Sequence, residues 1–185
     1  MSECDPVDAL QDKLAQYANR YPDESKVSEL FSAFLSRHGR RSFDRALEEG
    51  HVTASCWLLS PDRQHILLTH HRKLDAWLQL GGHADGDTDV LRVALNEARE
   101  ESGIADIAAV GDADIFDLDR HRIPPFGEDP AHDHYDFRFV LVAGSREVKV
   151  SPESHDLQWC KIGSLADYTS DQSVLRMERK WLAGS

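Results

Sequence analysis

Residues 81–104 read GGHADGDTDVLRVALNEAREESGI, which predicts a glycine turn followed by a helix and a glycine stop. Apolar residues of the predicted helix recur at i, i+3, i+4 and i+7 and form one face. This face consists of Leu91, Ala94, Leu95 and Ala98. Thr88 suits the N-cap of this helix, and Gly103 suits the position just past its last turn.

Three glutamates of the same helix share another face. Glu97, Glu100 and Glu101 stand at i, i+3 and i+4, so their carboxylates are neighbours and repel one another. One interpretation is a solvated acidic surface, because most glutamates are exposed. The other is a cation site, because Mg²⁺ prefers octahedral oxygen ligands at about 2.0–2.1 Å and keeps waters for a phosphate-bearing substrate. A backbone carbonyl of the Gly81-Gly82 turn could complete that site, since glycine allows close approach.

The segment resembles the Nudix box, G-x5-E-x7-R-E-U-x-E-E-x-G-U, in which U is a bulky aliphatic residue. The residues that match without a gap are Gly82, Glu97, Glu100, Glu101, Gly103 and Ile104. Thr88 stands where the family has Glu, and Asn96 stands where it has Arg. Asn96 can hydrogen-bond Glu100 one turn away but cannot neutralise it. We therefore expect the ionised triad to be harder to hold without a metal ion.

The resemblance implies an α/β (α+β sandwich) fold of the Nudix type, with a mixed β-sheet between helices. It also implies metal-dependent hydrolysis of a pyrophosphate bond in a nucleoside diphosphate linked to another moiety. Water would attack phosphorus, and Mg²⁺, or Mn²⁺ in its place, would polarise the phosphoryl oxygens. Glu97, Glu100 and Glu101 are expected to be the catalytic metal ligands, with the Gly82 carbonyl as a further ligand. The expected partner is a small-molecule nucleotide or nucleoside diphosphate derivative.

Two other functions are open on the sequence. The departures at Thr88 and Asn96 are compatible with a Nudix-fold module that binds a nucleotide or a protein partner with weak or no catalysis. The intact glutamate triad argues against this module, because binding alone does not require a metal cage. Isopentenyl-diphosphate isomerase shares the fold and uses His and Glu around a metal. No Cys of this chain lies near a His-Pro phrase, so we do not expect that chemistry.

Composition sets the class of protein. The 185 residues suit one main domain with an appendage, and a formal net charge of −12 argues against a non-specific nucleic-acid-binding surface. Cys4, Cys56 and Cys160 show no paired spacing and predict free thiols in a reducing cytoplasm. The first residues do not predict a signal peptide, and no apolar run approaches the length of a membrane span. We therefore expect a cytoplasmic protein without nucleic-acid or membrane partners.

The N-terminal part of the chain has helical spacing. Apolar residues predict helices over residues 5–20 and around 27–35, and a short third helix over 43–49. We therefore divide the chain into an N-terminal helical extension over residues 1–50 and a Nudix domain over residues 51–185. The extension is interpreted as a brace for the sheet, or else as a homodimer interface or a wall of the substrate pocket.

The remaining segments alternate between strand and turn signals. We predict a hairpin from residues 51–60 and 64–69, and a loop through the prolines of residues 123–130. Residues 112–122 show a mixed pattern. Further strands are predicted over residues 77–80, 106–110, 132–143, 148–150 and 157–160, and a last helix over 173–182.

The strand over residues 132–143 carries a polar row. Its alternation places Asp133, Tyr135, Phe137 and Phe139 on a core face and His132, His134, Asp136 and Arg138 on the other. The polar row is interpreted as an edge facing solvent, as the lining of the substrate pocket, or as a metal site. His132 and His134 would need help from Asp136, His121 or His83 to hold a metal ion.

The candidates for binding the substrate come from the cationic residues and from this polar row. Among the cations, Arg is favoured over Lys because it can bind phosphate through two hydrogen bonds. The candidates are Arg72, Lys73, His134, Asp136 and Arg138. Glu153 precedes a Trp-containing strand, which resembles the Nudix pattern of an acidic residue that reaches the metals. An ordinary surface glutamate is the other interpretation of Glu153.

Overall fold

The computed structural model describes residues 5–72, 74–125, 127, 130–151 and 154–184. Within these ranges the chain forms four α-helices and eight β-strands. The helices are α1 (Pro6–Arg20), α2 (Ser25–His38), α3 (Val90–Ser102) and α4 (Gln172–Gly184). The strands are β1 (Gly50–Leu59), β2 (His65–His71), β3 (Ala76–Leu78), β4 (Leu80–His83), β5 (Ile107–Ala109), β6 (Asp117–Ile123), β7 (His132–Ala143) and β8 (Ser154–Lys161). None of the helices in this described part is long and apolar enough to cross a membrane.

The strands pair in the order β3-β2-β1-β7-β5, and β4, β6 and β8 pair with β1, β7 and β2. The predicted hairpin is confirmed, because Leu59 of β1 lies opposite Ile66 of the antiparallel strand β2. Strand β2 also pairs antiparallel with β3 and β8, and β7 pairs antiparallel with β5 and β6. The mixed α+β fold expected from the sequence is confirmed.

The chain divides into two compact units. The first unit consists of the residues up to Ala54 together with Gly82–Val93 and Asp114–Arg138. The second unit consists of Ser55–Gly81, Ala94–Ala113 and the residues from Phe139 onwards. Strands β1, β4 and β7 and helix α3 each contribute residues to both units, since the chain passes from one unit to the other within them.

In the first unit, helix α2 packs on strand β7. Phe31 and Phe34 lie one turn apart and therefore face the same side of the helix. The ring of Phe34 stacks on Tyr135 with centroids 3.9 Å apart, and Phe31 meets Phe137 edge-on at 5.0 Å. All four rings are buried, so helix α2 braces this strand. The role of the N-terminal extension as a whole stays a prediction.

The second unit has its own apolar core. Ile66, Leu67 and Leu68 of β2 are each at most 1% exposed, so side chains on both faces of this strand are buried. Val174 and Met177 of α4 are fully buried, so the predicted C-terminal helix is confirmed.

Two predicted elements are wrong. The segment 43–49 is not an α-helix, because a 3₁₀ helix ends at Phe43 and turns follow it. The side chain of Asp44 accepts a hydrogen bond from the Ala46 N–H at 2.9 Å and so competes with helical bonding. Residues 148–150 are not a strand, because the Lys149 N–H donates to the Ser102 carbonyl at the end of α3.

Strand β6 is the element that the mixed pattern of residues 112–122 did not identify. It pairs with β7 along its whole length, from Asp117 opposite Arg138 to Ile123 opposite His132. Its residues are largely charged, so it lacks the apolar alternation by which strands are recognised. Strand β6 is therefore recognised by its pairing with β7 and not by a pattern of apolar residues in its own sequence.

Candidate active site

Helix α3 carries the glutamate triad and confirms the predicted helix. Asp89, rather than the expected Thr88, is the N-cap, because its Oδ1 accepts a hydrogen bond from the Arg92 N–H at 3.1 Å. The predicted stop at Gly103 is confirmed by a φ of +72° and by its N–H bond to the Arg99 carbonyl. A β-carbon at Gly103 would lie 2.7 Å from the Lys149 Cβ, so glycine also fits this position sterically.

The three glutamates differ in exposure. Glu100 is exposed, Glu97 is half-buried, and Glu101 is only 7% exposed. The Glu101 Oε2 accepts a hydrogen bond from the Gly81 N–H at 3.0 Å. The carboxylate of Glu101 is therefore held against the glycine turn that precedes the helix, within the second compact unit.

The chemistry of this donor set fits a hard divalent cation. Carboxylate oxygens are the ligands that Mg²⁺ and Mn²⁺ prefer. A buried carboxylate such as Glu101 is costly to keep charged without a hydrogen bond or a cation. The three glutamates belong to the second compact unit, whereas Gly82 belongs to the first. The metal-ligand roles of Glu97, Glu100, Glu101 and the Gly82 carbonyl stay predictions.

Arg72 lies at the end of β2 in the second unit. The residue is exposed, and its guanidinium donates to the Ser154 carbonyl at 3.1 Å. Lys73 and Glu153 lie outside the described residues. The substrate-binding roles of Arg72 and Lys73, and a metal-directed role of Glu153, therefore stay predictions.

Arg138 and Asp136 of the polar row lie in a buried charge cluster of the first unit. Arg138 is 1% exposed, and its Nε donates to Asp136 at 2.8 Å. Its terminal nitrogens lie 3.3 Å from Asp117 and 3.3 Å from Asp119, both on β6. Burial lowers the pKa of Arg138, but the three aspartates more than offset it and raise that pKa above its usual value. Asp136 also accepts a hydrogen bond from Thr53 on β1.

These contacts join strands β1, β6 and β7. Polar side chains of the row therefore meet protein partners on neighbouring strands instead of facing solvent at this end of β7. The substrate-binding roles of Asp136 and Arg138 stay predictions.

Five histidines of the first unit gather at the start of β7. The ring of His51, on β1, lies 4.8 Å from the rings of both His132 and His134. The ring of His83 lies 5.1 Å from the ring of His51 and 4.9 Å from the ring of His134. His121, which lies opposite His134 on β6, is 5.3 Å from it. His134, proposed from the sequence to bind the substrate, is therefore surrounded by imidazoles.

Burial in this cluster keeps imidazoles neutral. Burial, together with the charges of His83 and His132, lowers the pKa of His51 to about 4. Burial and the neighbouring histidines lower the pKa of His134 to about 2. Neutral imidazole is the form with a lone pair to donate.

His51 is the member of the cluster that the sequence analysis did not single out. It is the second residue of strand β1, all ten residues of which are buried. A histidine in an otherwise buried run of this kind is the sequence signal that could have identified it. Its proximity to β7 follows from strand pairing, which periodicity does not reveal.

Comparisons with known proteins agree with this architecture. A family model described as NUDIX domain matches residues 49–178. Sequence comparison with curated proteins gives no match. Among solved structures, an Ap4A hydrolase from C. elegans in a binary complex is 18% identical with a TM-score of 0.53, over 72% of this chain and 98% of that chain.

Two further structures are similar. A dihydroneopterin triphosphate pyrophosphohydrolase from E. coli is 15% identical with a TM-score of 0.56, over 72% of this chain and 96% of that chain. A MutT NUDIX hydrolase from Burkholderia pseudomallei is 20% identical with a TM-score of 0.54, over 72% and 98% of the two chains. At these identities the structures establish the fold, and the family model spans more than half of the sequence. The chain therefore belongs to the Nudix family.

Proposed function

We propose that this Nudix protein hydrolyses a pyrophosphate bond in a nucleoside diphosphate linked to another moiety, in a reaction that requires Mg²⁺ or Mn²⁺. The observation that carries the proposal is the glutamate face of α3, with Glu101 buried and bonded to the Gly81 N–H at 3.0 Å. The similar C. elegans and E. coli structures are named as an Ap4A hydrolase and a triphosphate pyrophosphohydrolase, which supports this reaction class.

Glu97, Glu100 and Glu101 would hold the cation, with the Gly82 carbonyl as a further ligand. When bound, the cation supplies positive charge that stabilises the charge developing on the phosphoryl oxygens. Burial of Glu101 and its hydrogen bond to Gly81 orient one carboxylate before the ion arrives. An ionised glutamate of the triad would also accept the proton of the attacking water.

For the substrate, Arg72 is the favoured anion-binding residue of the second unit, because it is an exposed residue and a guanidinium can form paired hydrogen bonds with phosphate oxygens. Lys73, His134, Asp136 and Arg138 are the other substrate-binding residues of the proposal. A cytoplasmic location, a homodimer through the N-terminal helices and a domain boundary at residues 50/51 remain predictions from the sequence.

The test measures phosphate release over a nucleotide panel in Mg²⁺ and in Mn²⁺, with pyrophosphatase or phosphatase added. The panel contains canonical and oxidised nucleoside triphosphates, sugar nucleotides, dinucleoside polyphosphates and dinucleotide cofactors. Turnover of one class is compared in the wild type, in Glu101→Gln and in Glu29→Gln. Glu29 is an exposed glutamate of α2 and provides the matched control.

We expect Glu101→Gln to lower the turnover at least about 100-fold, because a bound cation supplies several kcal/mol of charge stabilisation. The glutamine oxygen can still accept the Gly81 N–H bond, so the loss reports the negative charge rather than that hydrogen bond. Near-normal turnover would exclude Glu101 from the site.

A nucleotide-binding module with weak or no catalysis is the second candidate, and the residues Thr88 and Asn96 at two box positions favour it. No turnover across the panel by folded protein, together with a nucleotide-induced increase in melting temperature, would favour this module over the hydrolase.

A further inference from the structure

Three histidines of the first unit place their ring nitrogens around one point. One nitrogen each from His51, His132 and His134 lie within 4.8 Å of one another. His132 and His134 are at i and i+2 on β7 and so lie on the same face, and His51 comes from the adjacent strand β1. None of these residues belongs to the glutamate face of α3.

His51 lacks the partner that a buried imidazole requires. It is 3% exposed, and neither of its ring nitrogens hydrogen-bonds any residue that the structure describes. Buried polar groups in folded proteins are nearly always bonded to protein, water or an ion. The ring of His51 instead lies beside the rings of His132 and His134, at centroid distances of 4.8 Å.

The orientation of His132 is that of a metal ligand. Its Nδ1 lies 2.9 Å from the Pro130 carbonyl oxygen, which can only accept, so Nδ1 carries the proton and Nε2 presents a lone pair. Metal-ligating histidines commonly donate their second N–H to a backbone carbonyl in this manner. The lone pair of His132 points toward His134.

The spacing of the two nitrogens supports the same interpretation. The Nε2 atoms of His132 and His134 are 3.3 Å apart. In a tetrahedral site with Zn–N bonds of about 2.0–2.1 Å, two ligand nitrogens are separated by about 3.3–3.4 Å. This pair therefore already has the spacing of two zinc ligands, and rotation of the His51 side chain would complete the set.

We propose that His51, His132 and His134 bind a divalent transition-metal ion, with Zn²⁺ as the preferred ion. Imidazole suits Zn²⁺ and its neighbours in the transition series, whereas Mg²⁺ prefers oxygen. Three protein ligands leave a fourth position for water or for a ligand group. The site is chemically distinct from the glutamate triad, and it does not depend on the proposed hydrolase activity. His51 replaces the helpers Asp136, His121 and His83 that the sequence suggested for His132 and His134.

The test uses tag-free full-length protein, stripped of metal with a chelator and then saturated with Mg²⁺. Zn²⁺ is titrated by calorimetry, and Co²⁺ is added separately because tetrahedral Co²⁺ has a strong visible absorption band. The variants are His134→Asn, His132→Asn, the exposed control His155→Asn, and Glu101→Gln, which marks the other site. Circular dichroism checks that each variant folds.

We expect one Zn²⁺ per chain and a tetrahedral Co²⁺ spectrum in the wild type. His132→Asn and His134→Asn should each weaken Zn²⁺ binding at least tenfold, while His155→Asn and Glu101→Gln leave it unchanged. His132 is half-buried, so its variant decides the question even if His134→Asn does not fold.

Three results would overturn the proposal. They are no Zn²⁺ binding by the Mg²⁺-saturated protein, unchanged binding in folded His132→Asn, and loss of binding in Glu101→Gln. Loss of Zn²⁺ binding in Glu101→Gln would assign the ion to the glutamate triad. It would not affect the test of the proposed hydrolase activity, because that activity is measured in Mg²⁺.

Discussion

Replacing Arg138 by methionine should destabilise the fold strongly, because Arg138 is the buried cation between three aspartates. Asp117 is fully buried and Asp136 is 3% exposed, so water cannot solvate their carboxylates if the guanidinium is removed. Methionine fills a similar volume but offers neither charge nor hydrogen-bond donors. The substitution therefore leaves buried acidic groups on β6 and β7 without their counter-ion.

The size of the effect follows from the contacts. One bond to Asp136 at 2.8 Å is within charge-assisted hydrogen-bond range, and ion-pair contacts to Asp117 and Asp119 follow at 3.3 Å. Breaking a buried ion pair by removing one partner typically costs about 3–5 kcal/mol. The free energy of unfolding of Arg138→Met should therefore be lower than that of the wild type by about 3–5 kcal/mol.

The assay is urea unfolding at pH 7, followed by tryptophan fluorescence and circular dichroism. The matched control is Arg37→Met, because Arg37 pairs with Glu49 at 2.9 Å but both side chains are exposed. That loss should stay below about 1 kcal/mol. A loss below about 1 kcal/mol in Arg138→Met as well would refute the reasoning that the cluster stabilises the sheet.

The same variant bears on the substrate-binding prediction for Arg138. Its KM is measured at a temperature at which circular dichroism shows the variant to be folded, with the substrate that the nucleotide panel identifies. A raised KM would support contact between Arg138 and the substrate. A normal KM would restrict Arg138 to holding strands β6 and β7 together.

Two further predictions concern the cluster of histidines and the end of α3. In metal-free protein the free energy of unfolding should fall by at least about 2 kcal/mol between pH 7 and pH 5. Burial and neighbouring histidines lower the pKa of His51 to about 4, so the unfolded chain binds a proton below about pH 6.5 while the folded chain does not. In urea titrations, the free energy of unfolding of His51→Gln should depend less steeply on pH than that of the wild type. The same pH dependence in both proteins would contradict the attribution to His51. Gly103→Ala should cost about 2–4 kcal/mol, because its φ is +72° and the new β-carbon would meet Lys149 at 2.7 Å. The control is Gly111→Ala, because Gly111 has a φ of +64° with open space around it, and this substitution should cost about 1–2 kcal/mol. If thermal unfolding shows equal losses of stability in the two variants, the contact with Lys149 does not contribute to the cost at Gly103.

The order of strand, glycine turn and helix was predictable from local signals. Apolar spacing and the glycine beyond the last turn are enough to define α3, since both act within a few residues. The cap was the local error, because Asp89 and Thr88 are both good N-caps and only the backbone geometry distinguishes them. The predicted helix at 43–49 was wrong for a similar reason, since the Asp44 side chain competes for backbone donors.

Cross-strand relations were harder to predict. Strand β6 carries too few apolar residues to show a strand period, so its pairing with β7 emerged only from the fold. For the same reason, alternation separated the two faces of β7 but did not reveal what packs on each. Arg138 was thus visible as part of a polar row, while its burial between aspartates of β6 was not.

The sequence by itself determined the Nudix family resemblance and the alignment of Glu97, Glu100 and Glu101 on one face, because helical periodicity is a property of neighbouring residues. The tertiary structure alone decided which distant polar groups meet. Residue 51 joins residues 132 and 134 because β1 and β7 are neighbours in the sheet, and Arg138 meets Asp117 and Asp119 because β6 pairs with β7. Pairing and packing partners come from parts of the chain that are far apart in sequence, and no local pattern encodes them.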